Sequence, residues 1–183
     1  DRVAFLNKFI MEPGKIGSIT PSSSFLSSKM LSALSWESLD TIVELGAGTG
    51  VFTKYIAAHK KESCNVFLIE RDFVMRKTLR NDYPEFHYGS KAEKLSWLLH
   101  RNNIMQVDCV ISGLPFAAFS EPLREAIMTE VYRSLKPGGI FVAFQYSLQM
   151  KSMLKTYFRK IRIDFVPLNM PPAFVYNCEK SLF

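Results

Sequence analysis

The chain has 183 residues, of which 48% are hydrophobic and 22% charged, so one globular domain with a sizeable core is expected. No apolar run approaches the roughly 20 residues of a membrane-spanning helix, and three scattered cysteines and three histidines argue against a disulfide framework and a metal site. The net charge of +6 is compatible with an anionic partner, either nucleic acid or an acidic membrane surface.

The first part of the chain is predicted to contain two helices separated by a turn. We expect a helix over residues 1–11, a turn over 11–21 and a second helix over about 22–35. We therefore treat residues 1–36 as a helical extension and residues 37–183 as the core of a single domain.

From residue 40 to about 145, strand-like and helix-like segments alternate. Continuous apolar strands separated by helices predict a parallel sheet covered on both faces, so the predicted fold class is α/β. Two later strand segments are joined so closely that they can pair only antiparallel. The predicted strands are 40–45, 65–70, 86–88, 107–112, 140–146, 162–168 and 173–179, the predicted helices are 50–60, 72–84, 92–101 and 121–135, and a turn is predicted at 136–139.

Three glycines follow the first predicted strand, in the stretch TIVELGAGTG at 41–50. A glycine-rich turn between a strand and a helix lets a ligand reach the backbone and the N–H groups of the helix. The spacing is not the dinucleotide fingerprint, whose third glycine would fall at Val51, and no Walker loop is present. Glu44, before the turn, suits a ligand that carries an amino group. Glu70, at the end of the next strand, suits two vicinal ribose hydroxyls.

Four stretches, VELGAGTG, LIE, VDCVISGLPF and LKPGGIFVAF, resemble the class I S-adenosylmethionine-dependent methyltransferases in order and spacing. The resemblance covers residues 40 to 145 and implies a Rossmann-like seven-stranded sheet: five parallel strands, a C-terminal antiparallel hairpin and helices on both faces. It implies S-adenosylmethionine as cofactor, with Glu44 holding its ammonium through water or backbone and Glu70 binding its ribose. The other cofactor contacts that it implies are Thr20, Gly46, Ala47, Gly48, Thr49, Gly50, Arg71, Ser90, Lys91, Ala92, Ser112, Gly113 and Leu114.

One part of the chain departs from this family. An acidic residue that accepts the adenine amino group often follows the third strand, where this chain has Ser90 or Lys91 in the stretch HYGSKAEKL. Adenine recognition is therefore expected from backbone groups or from Ser90.

The stretch SGLPF at 112–116 follows the fourth strand, where this fold places the methyl acceptor. It resembles in part the N-P-P-[YF] and N-L-P-[YF] elements of adenine-N6 and glutamine methyltransferases, including the ribosomal RNA adenine dimethylases. Ser112 replaces the Asn of those elements and cannot offer its amide carbonyl. This difference weakens the interpretation as a base methyltransferase.

Nearly the whole chain is similar to the small bacterial phospholipid N-methyltransferases of the phosphatidylethanolamine type. That family has a G-x-[IV]-x-P-S-S element before the fold, which here spans residues 17–23, and an S-x-L-P element after the fourth strand. A headgroup amine must lose a proton before it attacks, and we expect Ser112 and Tyr146 to orient it or relay that proton. Phe116 is predicted either to attract a methylated ammonium through its ring or to fill the end of the sheet.

Two amphipathic stretches bear on a membrane partner. Residues 1–11 and 150–161 each place apolar side chains on one side, and basic residues surround the second stripe. Such helices suit an anionic lipid surface, and the alternative is that both stripes pack on the sheet. The stripes consist of Val3, Phe5, Leu6, Phe9 and Ile10, and of Met150, Met153, Leu154, Tyr157, Phe158 and Ile161.

We therefore predict an S-adenosylmethionine-dependent N-methyltransferase that acts on a phospholipid amine at an anionic membrane surface. We expect it in the cytoplasm, with membrane binding at the inner face, and we expect no metal. The alternatives are an RNA adenine N6-methyltransferase, a small-molecule methyltransferase and a non-catalytic module that keeps the cofactor fold.

Overall fold

Seven strands form one sheet in the order β3-β2-β1-β4-β5-β7-β6 in the computed structural model, which describes residues 21–169 and 171–182. Neighbours among β1 to β5 pair parallel, whereas β7 pairs antiparallel with both β5 and β6. The predicted fold class is therefore confirmed. The strands are β1 Thr41–Leu45, β2 Asn65–Ile69, β3 His87–Gly89, β4 Val107–Ser112, β5 Leu135–Gln145, β6 Lys160–Val166 and β7 Ala173–Glu179.

Six α-helices connect or precede these strands in the described residues. No helix among them is long and apolar enough to cross a membrane. The predicted helix at 1–11 and nearly all of the predicted turn at 11–21 lie outside the described residues. The helices are α1 Pro21–Leu31, α2 Val51–His59, α3 Phe73–Asp82, α4 Leu95–Arg101, α5 Glu121–Ser134 and α6 Met150–Tyr157.

The core consists of two apolar layers, one on each face of the sheet. Successive side chains of a strand point to opposite faces, so in β1 Val43 belongs to one layer and Ile42 to the other. Helices α4, α5 and α6 cover the first layer, and α1, α2 and α3 cover the second. Both faces are therefore covered, which explains why every residue of β1 is buried.

The predicted turn at 136–139 is instead part of β5, which begins at Leu135. The pairing with β4 shifts between Val107 and Cys109, and Gly138 has a φ of +76°. A glycine in this conformation allows an irregular strand to continue, where a regular strand would break. The prediction of a separate turn was wrong for this reason.

The apolar stripe at 150–161 packs on the sheet. Met150, Leu154 and Phe158 are buried in the first core layer, and α6 ends at Tyr157. Ile161 lies in β6 rather than in a helix. The alternative in which this stripe covers the sheet is confirmed, and its apolar side chains do not form a membrane-binding face.

The parallel strands bring the predicted site residues to one edge of the sheet. We call this side, where β1 to β5 end, the carboxyl edge, and the opposite side the amino edge. The chain passes from β1 to β2 on one side and returns to β4 on the other. Such a reversal of strand order opens a crevice at the carboxyl edge, where ligands bind in open α/β sheets.

Candidate functional site

The turn after β1 consists of glycines in a conformation that other residues rarely adopt. The φ angles of Gly46, Gly48 and Gly50 are +75°, +54° and +85°. The Gly46 N–H donates to the Ile69 carbonyl at 2.8 Å, which ties the turn to the end of β2. Gly50 immediately precedes α2, so the free N–H groups of that helix begin where the turn ends. The turn therefore presents backbone groups at the carboxyl edge.

The three glycines differ in what surrounds them. A Cβ placed on Gly46 would lie 2.9 Å from Leu114 Cδ2, and one placed on Gly50 would clash with a side chain of α3 at 2.8 Å. At Gly48 the nearest atom would be the Gly46 carbonyl oxygen, at 4.0 Å. The turn is therefore packed at its two ends and open at Gly48, where a ligand can approach the backbone.

Glu70 holds this open part of the turn. One of its carboxylate oxygens accepts the Gly48 N–H at 2.7 Å, and the other accepts the Asp72 N–H at 2.8 Å. Each oxygen has a second lone pair, so two vicinal hydroxyls can bind while both backbone contacts remain. Arg76 Nη1 donates to the Glu70 carbonyl at 2.5 Å and fixes its backbone. The structure thus brings Glu70 to the glycine turn, and ribose binding by Glu70 stays a prediction.

Glu44 is fully buried two residues before the turn. Its Oε2 accepts the Thr53 hydroxyl at 2.7 Å, whereas its buried Oε1 has no hydrogen-bond partner among the described residues. Burial raises the pKa of Glu44 to about 8, the Thr53 hydrogen bond opposes the rise, and the charge of Glu70 adds to it. Because this oxygen is buried, it is compatible with the predicted contact to a ligand's amino group through water or backbone and not with a direct one.

The region predicted to bind adenine lies next to Glu70. The Glu70 N–H donates to the Gly89 carbonyl at 3.0 Å, so the end of β3 is fixed beside the end of β2. The residues that follow each strand therefore adjoin one another along the edge. Of the remaining predicted cofactor contacts in this region and in the glycine turn, Ala47 and Ala92 are buried and Thr49, Arg71, Ser90 and Lys91 are exposed.

The loop after β4 is held against the glycine turn. Ser112 is fully buried, and its hydroxyl oxygen accepts the Leu114 N–H at 3.2 Å. The Gly113 N–H donates to the last carbonyl of β1 at 2.9 Å, and Gln145 Nε2 donates to the Leu114 carbonyl at 2.9 Å. Because Leu114 also packs on Gly46, the predicted cofactor and acceptor segments form one continuous surface.

Tyr146 directly follows β5 and is partly buried at the same edge. Burial raises its pKa, and a hydrogen bond with the Asn169 side chain opposes the rise. The phenol therefore keeps its proton at neutral pH and can orient an amine through hydrogen bonds. Gln145 and Asn169 at this edge were not predicted from the sequence. Their position at or just after the ends of β5 and β6 is the feature that could have indicated them.

The remaining site predictions concern Phe116, Thr20 and metals. The Phe116 ring has no exposed surface and contacts Phe119 in the first core layer, so the structure favours its alternative role of filling the end of the sheet. Thr20 lies outside the described residues. Residues 21–169 and 171–182 contain no group of three or more His, Cys, Asp or Glu side chains that could hold a metal ion.

Comparisons with known proteins agree with this geometry. Residues 42–139 match a family model described as a methyltransferase domain. An ornithine lipid N-methyltransferase of Singulisphaera acidiphila is 33% identical over 184 residues, which cover 98% of this chain and 96% of the relative.

Two solved structures share the fold at 11% identity. The N-methyltransferase NodS from Bradyrhizobium japonicum WM9 has a TM-score of 0.73, with 89% of this chain and 98% of that one covered. The 1,6-didemethyltoxoflavin-N1-methyltransferase of Burkholderia thailandensis, with bound 1,6-didemethyltoxoflavin and S-adenosylhomocysteine, has a TM-score of 0.67, with 98% and 87% covered.

The family match spans more than half of the chain, and the curated relative spans nearly all of it. The strand order, the glycine turn that is open at Gly48 and the acidic side chains of Glu44 and Glu70 are compatible with a cofactor that carries an amino group and a ribose. The predicted cofactor, S-adenosylmethionine, is confirmed by the family. The chain therefore belongs to the class I S-adenosylmethionine-dependent methyltransferases.

Proposed function

We propose that this protein methylates the amine of a lipid headgroup at a membrane surface, the phospholipid amine being the acceptor predicted from the sequence. The observation that carries this proposal is the 33% identity, over almost the full length of both chains, to an ornithine lipid N-methyltransferase. Ornithine and ethanolamine headgroups both present a primary amine beside an anionic group. The shared chemistry is therefore methyl transfer to an amine that cannot leave the bilayer.

The rate of this reaction depends more on the positioning of the acceptor amine than on the strength of a catalytic acid or base. The cofactor supplies a methyl group on a sulfonium, which is already activated for in-line attack. The chain has to hold an amine beside the loop after β4 and accept hydrogen bonds from it. Ser112 uses one lone pair for the Leu114 N–H and keeps its O–H, and Tyr146 keeps its proton because burial raises its pKa. Because Ser112 is fully buried and fixes the loop, the partly exposed Tyr146 is the hydroxyl that can orient the amine while the amine's proton passes to water.

The features of the acceptor loop support a lipid amine over an RNA base. A base needs an amide oxygen to read its amino group and an aromatic face on which to stack. Here Ser112 replaces the amide, and the ring of Phe116 is completely buried in the core. The loop therefore lacks both groups that would recognise adenine.

Transfer of a labelled methyl group tests the proposal. The protein is incubated with methyl-labelled S-adenosylmethionine and either vesicles of phosphatidylethanolamine or ornithine lipid with an anionic lipid, or unmodified ribosomal RNA. We expect label in the lipid extract, and much less of it at low cofactor concentration when Glu70→Ala replaces the wild type. Label in the RNA alone would contradict the proposal and would favour the adenine N6 alternative.

A further inference from the structure

Exposed apolar side chains are unevenly distributed over the molecule. Nine large apolar side chains are exposed in the described residues. Two of them, Met105 before β4 and Leu182 after β7, lie at the amino edge of the sheet. Six of the other seven belong to segments at the carboxyl edge, around the glycine turn and the acceptor loop: Phe25, Phe73, Val74, Leu148, Phe165 and Leu168. The seventh, Trp97, lies in α4, where the Ser96 N–H donates to Glu130 near the end of α5.

The position of Phe25 follows from the direction of α1. The indole of Trp36 donates to the Leu31 carbonyl at 3.2 Å, and its ring contacts Tyr55 and His59 near the end of α2. The ends of α1 and α2 therefore lie together at the amino edge. Phe25 comes before the end of α1 by nearly two turns and lies toward the carboxyl edge.

The loop after β5 and the turn after β6 form one surface. Strand β7 pairs with both strands, so Phe174 lies opposite Gln145 of β5 and opposite Phe165 of β6. The Tyr176 hydroxyl donates to the Ser147 carbonyl at 2.9 Å. Leu148 and Leu168 are next to these contacts in the chain and are 46% and 76% exposed. The two leucines therefore extend the acceptor side of the site with an apolar rim.

Basic side chains accompany the apolar ones. The guanidinium of Arg76 lies 5.8 Å from the Phe73 ring centre. The exposed Lys151 lies one turn beyond Leu148, and its backbone N–H donates to the Leu148 carbonyl. Aromatic and aliphatic side chains combined with cations suit a surface of anionic lipid, where the apolar groups enter and the cations meet phosphates.

We propose that the carboxyl edge of the sheet docks on a bilayer that contains anionic lipid, and that Leu148, Phe165 and Leu168 enter its headgroup region. This inference rests on the proposed function, because only a substrate held in the bilayer requires the site to face it. The apolar side chains stand on separate elements around the open turn rather than in one groove. A bilayer accommodates such a dispersed set and presents the lipid amine at the same depth.

Tryptophans introduced at the two edges provide a test. Leu168 is 76% exposed at the carboxyl edge, and Met105 is 73% exposed at the amino edge. In a protein whose two natural tryptophans are replaced (Trp36→Phe/Trp97→Phe), Leu168→Trp and Met105→Trp are compared on phosphatidylethanolamine and phosphatidylglycerol vesicles with brominated acyl chains. We expect quenching in Leu168→Trp to exceed that in Met105→Trp several-fold. Equal quenching, or stronger quenching in Met105→Trp, would overturn the proposed orientation.

Paired surface variants separate docking from catalysis. We expect Leu148→Ser/Phe165→Ser/Leu168→Ser to lower the vesicle-bound fraction several-fold, and the control Met105→Ser/Leu182→Ser to leave it unchanged. Transfer to detergent-dispersed lipid amine should equal that of the wild type in the control variant, and the triple variant should lose more transfer on vesicles than in detergent. A failure of that transfer in the wild type would count against the proposed function, whereas vesicle binding is measured independently of it.

Residues 1–20 are the other segment whose binding to vesicles has to be tested, because residue 21, where α1 begins, lies toward the carboxyl edge. Phe5→Ser/Phe9→Ser changes that segment alone. If this variant loses vesicle binding while the triple variant at the carboxyl edge keeps it, the docking surface is the N-terminal segment and the proposal is overturned. If the triple variant loses binding, the carboxyl edge is required.

Discussion

Glu44 is a buried acidic residue directly before the glycine turn. A buried carboxyl group with one unpaired oxygen is costly when ionised, and burial raises the Glu44 pKa from 4.5 to about 8. Thr53 provides the one hydrogen bond that it has. An acidic residue at this position is easily predicted to matter from its place before the glycines. Its complete burial and its partner on α2 follow only from the packing of that helix on β1.

The raised pKa predicts a pH dependence of stability. Between pH 4.5 and about 8, Glu44 is ionised in the unfolded chain and protonated in the folded one. The folded state then binds more protons, so its stability falls as the pH rises through this window. Relative to Glu44→Gln, we expect the wild type to lose about 2–4 kcal/mol between these limits in urea unfolding of the ligand-free protein. Parallel pH profiles for the two proteins would contradict the assignment.

Glu70 supports a prediction about cofactor affinity. Its carboxylate holds the Gly48 N–H and is expected to hold the ribose, and a hydrogen bond to a charged group contributes roughly 1.5–3 kcal/mol. We expect Glu70→Ala to raise the Kd of S-adenosylhomocysteine at least about tenfold in calorimetry. Glu62→Ala, at an exposed position away from the site, is the control. Unchanged affinity in Glu70→Ala would refute the placement of the ribose.

At the scale of elements, the site depends on the contact between two loops. The glycine turn and the loop after β4 touch at Gly46 and Leu114, and Gln145 holds the second loop from β5. The sequence predicts each loop because glycines and a proline follow apolar strands. Their mutual contact depends on the sheet order, which places β1 between β2 and β4.

Two glycine variants should separate the roles of the turn. In Gly46→Ala the new Cβ would lie 2.9 Å from Leu114 Cδ2 at a positive φ, so we expect a loss of stability of about 1–3 kcal/mol and reduced activity. In Gly48→Ala the Cβ enters open space at a positive φ, so the protein should stay folded but bind S-adenosylhomocysteine more weakly. Thermal unfolding and calorimetry measure both. A Gly48→Ala protein with normal affinity would show that the ligand does not approach there.

Gln145 provides a prediction about the acceptor loop. Its Nε2 donates to the Leu114 carbonyl, so Gln145→Ala should loosen the loop while the glycine turn and Glu70 stay in place. We expect kcat to fall about tenfold, or about 1.4 kcal/mol, with the Kd of S-adenosylhomocysteine nearly unchanged. The steady-state rate with lipid amine in detergent is the measurement. A matched loss of cofactor affinity would mean that Gln145 supports the cofactor site instead.

At the scale of the whole molecule, most of the predicted strands and helices follow from patterns among residues that are near neighbours in the chain. Apolar runs and helical periodicity located the strands, five of the helices and the carboxyl-edge residues, because both signals depend on near neighbours in the chain. The start of β5 was missed because Gly138 lets an apparent turn pair as a strand. The stripe at 150–161 could not be resolved from sequence, since the same pattern serves a membrane or a sheet. Burial of Met150, Leu154 and Phe158 distinguishes the two.

The most direct test of methyl transfer to a lipid headgroup amine is the mass of the lipid product. Purified protein and S-adenosylmethionine are added to vesicles that contain a lipid with a free headgroup amine, or to vesicles whose only zwitterionic lipid is already trimethylated at that nitrogen. Extracted lipids are analysed by fragmentation mass spectrometry. We predict added methyl groups in the headgroup fragment of the amine lipid and no change in the mass of the trimethylated lipid. Methyl groups elsewhere in the lipid, or none in either lipid while the protein binds S-adenosylmethionine, would contradict this prediction.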